Sequence, residues 1–156
     1  MILYGLTIFL SAFLLFQVQP LMGKYLLPWF GGAPAVWTTC MLFYQVLLLG
    51  GYAYAHWTVS RLDPGVQRRL HVGFLLASTA LAAVLLFVWK SPILPPPAWK
   101  PSGEANPTAH ILGLLGAGVG LPYFLLATTS PVLQAWFHRL RPGTSPYRLY
   151  ALSNAG

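Results

Sequence analysis

Thr38, Gln45, Tyr52 and His56 recur at helical spacing inside one long apolar run. On a helix these four share a face. A hydrogen-bonding face within lipid supports either a polar cavity that holds a substrate or relays protons, or hydrogen bonds that glue helices together. The second is the default, at about 1 kcal/mol per bond, because only ionisable groups in a membrane are presumptively functional. Gln17 and Gln19, near the end of the preceding apolar run, belong to the same candidate polar cavity. His56 is the best placed titratable group, since imidazole exchanges protons near neutral pH. His71, His110 and His138 are weaker candidates for that role.

Other chemistry has little to work with. Asp63 and Glu104 are the only carboxylates, and they lie in separate connectors. They cannot form an acid/base pair. No metal-ligand spacing and no nucleophile with a base and an orienting acid is present, so no catalytic, cofactor or metal residue is assigned. Cys40 is the single cysteine and makes no internal disulfide. Gly113, Gly116, Gly118 and Gly120 mimic a phosphate-binding loop. A dinucleotide fingerprint needs a strand before it and an acid about 20 residues after it, and both are missing. Gly116 and Gly120 instead suit close helix packing. Pro122 and Pro131 free the carbonyls of Gly118 and Ala127, which Thr128, Thr129 or Ser130 would satisfy. Such a broken helix packs as a kink or lines a cavity.

The elements that must position these residues are membrane spans. Of 156 residues, 56% are hydrophobic and 7% charged, and the mean hydropathy is +0.63. A soluble domain carries about 25% charged residues, so a soluble enzyme is excluded. The net charge of +7 would suggest nucleic acid in a soluble protein. Here the cations sit in short connectors, where they set topology and meet anionic headgroups. The expected fold is all-α, a single polytopic bundle of four transmembrane helices at about 2–22, 36–59, 70–89 and 109–137. Each run reaches the roughly 20 residues needed to cross the hydrocarbon core. The first is not a cleaved signal, because nothing basic precedes it and Gln17, Gln19 and Pro20 occupy the cleavage region. The connector 60–69 carries Arg61, Asp63, Arg68 and Arg69, and 90–108 is a proline-rich outer loop, extended or polyproline-like. Arg61, Arg68, Arg69, Arg139, Arg141 and Arg148 oppose Lys24, Lys90 and Lys100. That balance sets the N-terminus on the cytoplasmic side. Ser153 to Gly156 is a small-residue run of the sort that opens a fifth span.

Five ordered segments carry a family resemblance. They are Phe16 to Leu21 with Gly23-Lys24; Leu27-Pro28 to Gly31-Gly32 with Val36-Trp37; Tyr44-Gln45 with Gly50 to His56; Leu121 to Phe124 with Thr128 to Pro131; and Pro146 to Gly156. Together they resemble the N-terminal membrane portion of bacterial spermidine-synthase-like membrane proteins, a major-facilitator-like domain fused to a spermidine synthase domain. The resemblance implies further spans and a cytoplasmic Rossmann-like domain in the same polypeptide, and a place in the bacterial inner membrane. It implies a module that anchors an aminopropyltransferase- or methyltransferase-like domain and handles a polyamine or related small molecule. It assigns no site residue in this chain. Two alternatives are a transporter half of major-facilitator type that works as an oligomer, and a structural subunit without a ligand. Asp63, Gly65, Arg68 and Arg69 are loosely similar to a major-facilitator loop, with a different spacing.

Overall fold

The structure, a computed structural model, describes residues 2–101, 106–141 and 147–155. Glu104 and Gly156, and the Arg148 side chain, lie outside the described parts. The chain forms helices α1 (Ile2–Leu26), α2 (Pro34–Arg61), α3 (Pro64–Trp89), α4 (Pro107–Leu115), α5 (Leu121–Leu140) and α6 (Tyr147–Ala155). Among the described residues there is no strand, and the fold is an all-α bundle. Four helical stretches are long and apolar enough to cross a membrane: Ile2–Phe30, Pro34–Arg61, Pro64–Trp89 and Pro107–Leu140.

The four expected spans are present, but three begin earlier than expected. The connector expected at 60–69 shrinks to Leu62 and Asp63, and Arg68 and Arg69 lie within α3. Pro34, Pro64 and Pro107 each occupy the first residue of a helix. There the missing N–H costs nothing and the fixed φ suits the helix. The prolines start helices that sequence reasoning treated as broken. Asn106 caps α4, its Oδ1 accepting from the N–H groups of Thr108 and Ala109 at 3.1 and 3.3 Å.

The fourth span is not one uniform helix. Between α4 and α5, Gly116–Gly120 forms a π-turn. Pro122 follows at once; its missing N–H and ring break the regular ladder there, and the wider turn absorbs the mismatch. Of the expected packing pair, Gly120 is buried and a Cβ there would touch Phe43 of α2 at 3.8 Å. A Cβ on Gly116 would meet nothing within 4 Å, whereas one on Gly118 would stand 2.6 Å from the Ile93 carbonyl oxygen. Gly118 is the residue that admits a neighbouring backbone, because the proline-rich loop folds back onto the bundle. That loop is held by a Tyr25 hydroxyl donating to the Pro95 carbonyl at 2.7 Å, and by Trp99 edge-on to Trp89. It contains a short 3-10 turn at Pro97–Trp99 and is not extended throughout.

The closest helix crossing pairs α2 with α5. A Cβ on Gly51 would lie 2.8 Å from Ala127 Cβ, so the two backbones nearly touch. Lipid supplies no hydrophobic drive between helices, and such small-residue contacts let dispersion do the work. Tyr54, Phe74 and Phe124 then lock α2, α3 and α5, with ring centroids 5.6 to 6.4 Å apart. The core gathers Leu15, Met22, Tyr44, Leu114, Val119 and Tyr123. Ser153 to Ala155 are helical and belong to α6. That helix lies against α1, with Leu149 buried and Leu152 reaching Gly5.

Candidate functional site

Pro131 sits inside α5 and cannot donate to the Ala127 carbonyl one turn earlier. Thr128 and Thr129 do not replace that donor, since both hydroxyls bond the Leu125 carbonyl, at 2.8 and 2.7 Å. Ser130 does not replace it either. Its Oγ receives the Gln134 amide at 2.9 Å and donates to Ser153 Oγ on α6 at 3.0 Å. Among the described residues no neighbouring hydroxyl bonds the Ala127 carbonyl, a role the sequence offered to all three.

Ala127 borders a cavity of about 90 Å³ between α1, α2, α5 and α6. Its polar lining is Ser11, Tyr52, Ser130, Ser153 and Asn154, and its apolar lining includes Leu15, Phe16, Leu48 and Leu126. Phe16, Tyr52 and Asn154 are exposed, so the mouth lies among them. Ser11 spends its proton on the Ile8 carbonyl at 2.9 Å and presents only lone pairs. The cavity is thus rich in neutral oxygen acceptors, with two aromatic rings at its rim. It has room for a few waters or a small head group. No carboxylate, histidine or cysteine is among the residues that line it.

Of the sequence-predicted cavity residues, only Tyr52 lines this space. Gln19 turns inward elsewhere, its Nε2 donating to the Tyr123 hydroxyl at 2.7 Å. Tyr44 stacks beside Tyr123 with centroids 4.7 Å apart, and its buried hydroxyl has no partner among the described residues. Gln17, Gln45 and His56 are exposed on the outside of the bundle. The helical spacing of Thr38, Gln45, Tyr52 and His56 is real, but Thr38, Gln45 and His56 are exposed and only Tyr52, at the edge of that face, reaches the cavity. Sequence reasoning missed Ser11, Ser153 and Asn154 as cavity residues. The available signal was a serine next to a helix-interior proline at Ser130-Pro131, with hydroxyl and amide partners in the last segment.

A second polar cluster closes one end of the bundle. Gln67, 2% exposed, accepts from Trp136 Nε1 at 2.9 Å and Arg139 Nη1 at 3.2 Å, and donates to the Leu62 carbonyl at 2.7 Å. Arg139 Nη2 also donates to the Val59 carbonyl at 2.6 Å. These bonds tie α2, α3 and α5 together. They place Arg139 at the end of the bundle that also carries Arg61, Arg68 and Arg69. Among the four histidines His71 is the buried one, edge-on to Trp136 at 6.0 Å, with Nδ1 unpartnered among the described residues. No group of three or more metal-binding side chains occurs among the described residues.

The fold and this site define a multi-pass helical membrane protein with a small uncharged intramembrane cavity. Compared with known protein families, with curated proteins and with solved structures, the chain matches none.

Proposed function

We propose that this chain is the membrane-integral module of a spermidine-synthase-like protein, and that its cavity receives the amine end of a polyamine or a related small molecule. The observation that carries the reading is the cavity beside Pro131. An ammonium group leaving water needs oxygen atoms to replace its hydration shell, and an aromatic face adds attraction. The Ser11, Ser130 and Ser153 oxygens, the Asn154 side chain and the Tyr52 ring supply these at one place. The volume of about 90 Å³ fits one short aminoalkyl end. Without a carboxylate the hold is weak, which suits capture and release. The five sequence segments that resemble the family supply the polyamine and the attached transferase-like domain.

The same reading sets the basic end of the bundle at the cytoplasmic face of a bacterial inner membrane. The Arg-rich connectors favour that side, and there they would meet the domain that makes or uses the amine. A thermal-shift panel on the purified protein tests the reading. Spermidine and putrescine should raise the melting temperature in a saturable way, and 1,3-propanediol and acetate should not. Equal response to the diol, or no response to either amine, sinks it.

A further inference from the structure

An open groove of about 570 Å³ runs along α3, lined by Val66, Arg69, Leu70, Gly73, Phe74 and Ala77. Gly73 makes the notch: it has no side chain, and a Cβ there would meet nothing within 4 Å. Phe74 forms the inner wall, packed on the rings of Tyr54 and Phe124, while Leu70, Gly73 and Ala77 are exposed. Arg69 is the only charged residue in the lining. Its Nε donates to the Gly65 carbonyl of the same helix at 3.3 Å, and its two terminal nitrogens have no partner among the described residues. From Arg69 to Ala77 the helix rises about 12 Å at 1.5 Å per residue, within the roughly 15 Å that one leaflet contributes to the hydrocarbon core. A cation at headgroup depth thus stands over a strip of apolar surface that fits inside one leaflet.

The charge around the groove is one-sided. Arg61, Arg68, Arg139 and Arg141 lie at the same end, and Asp63 is the one carboxylate among the described residues. Arg139 is fixed on neutral oxygens, Gln67 Oε1 and the Val59 carbonyl, and these leave its charge in place.

We infer that this groove holds one anionic phospholipid, its phosphate on Arg69 and an acyl chain along Leu70, Gly73, Phe74 and Ala77. Charge complementarity selects the occupant. A second copy of the chain brings the same excess of arginines to this depth. Further spans of the polypeptide bring basic flanks too, because the bias that collects arginines at this end acts on every short connector on that side. An anionic phospholipid brings the missing negative charge at headgroup depth and an apolar chain directly below it. A soluble anion matches only the first, and a soluble domain cannot reach the second. The guanidinium suits the phosphate because its fork donates two parallel hydrogen bonds.

Native mass spectrometry of the purified protein tests this. Released from micelles holding equal amounts of phosphatidylglycerol and phosphatidylcholine, the chain should retain phosphatidylglycerol in preference. Arg69→Gln should weaken that retention about fivefold, the worth of a single cation at a membrane surface. Gly73→Leu, whose side chain enters the notch, should weaken it at least as much. Lys90→Gln, at the other end of α3, should leave it unchanged, and soluble glycerol phosphate should not displace the lipid. In native membranes a photoreactive phenylalanine in place of Ala77 should label phospholipid. Equal retention of both lipids, equal loss in Lys90→Gln, full retention in Arg69→Gln or Gly73→Leu, displacement by glycerol phosphate, or a label on a polypeptide instead of a lipid would each overturn the inference. Lipid retention reads α3 and not the cavity between α1, α2, α5 and α6, so it fails or succeeds separately from the amine reading.

Discussion

Replacing Gly51 by alanine probes the contact on which the α2–α5 crossing depends. The added Cβ would stand 2.8 Å from Ala127 Cβ, 3.3 Å from the Ala127 carbonyl carbon and 3.4 Å from the Phe124 carbonyl oxygen. Carbon atoms settle at about 3.5–4.0 Å, so the helices must part by about 0.7 Å or more. Overpacking of this kind costs about 1–3 kcal/mol. Alanine recovers about 1 kcal/mol over glycine in a helix, leaving a net loss of up to about 2 kcal/mol where the Gly73 control gains about 1 kcal/mol. Gly73, where a Cβ would meet nothing within 4 Å, is the control, and Gly73→Ala should be neutral or stabilising. Unfolding in mixed micelles, followed by tryptophan fluorescence, measures both. Adding Ala127→Gly to Gly51→Ala removes the closest clash and should recover stability, with a coupling of about 1–2 kcal/mol. If Gly51→Ala behaves like the Gly73 control, or Ala127→Gly gives no recovery, the close crossing is refuted.

Two further substitutions test the other ties. Gln67→Leu removes three hydrogen bonds and leaves Trp136 Nε1 and Arg139 Nη1 without their Gln67 partner, so unfolding should become easier by about 1–3 kcal/mol, and Trp136 emission should shift. Gly118→Ala drives a Cβ into the Ile93 carbonyl, 2.6 Å away, and should release the proline-rich loop, seen as faster proteolysis between Lys90 and Lys100 with the helices intact.

The spans were legible because lipid demands long uncharged runs, a constraint independent of tertiary detail. Their ends were misjudged where Pro34, Pro64 and Pro107 begin helices, since a proline reads as a breaker until its place in the turn is known. The common face of Thr38, Gln45, Tyr52 and His56 was legible from period alone. Its direction was not. In a soluble helix the apolar side marks the core, but in lipid both sides are apolar and packing decides. Here Gly51 and Ala55 face the bundle and leave Thr38, Gln45 and His56 outside. The cavity was hidden for another reason: Ser130 and Ser153 are 23 residues apart, and only the docking of α6 on α1 and α5 joins them.

The most direct measurement is equilibrium binding of labelled spermidine to the protein in nanodiscs, for the wild type and for Ser153→Leu, whose side chain would fill the cavity. Saturable binding to the wild type, at least tenfold weaker in Ser153→Leu and unchanged in Gln17→Ala, is the expected result. No saturable binding, or equal binding in Ser153→Leu, would contradict an amine-receiving cavity beside Pro131.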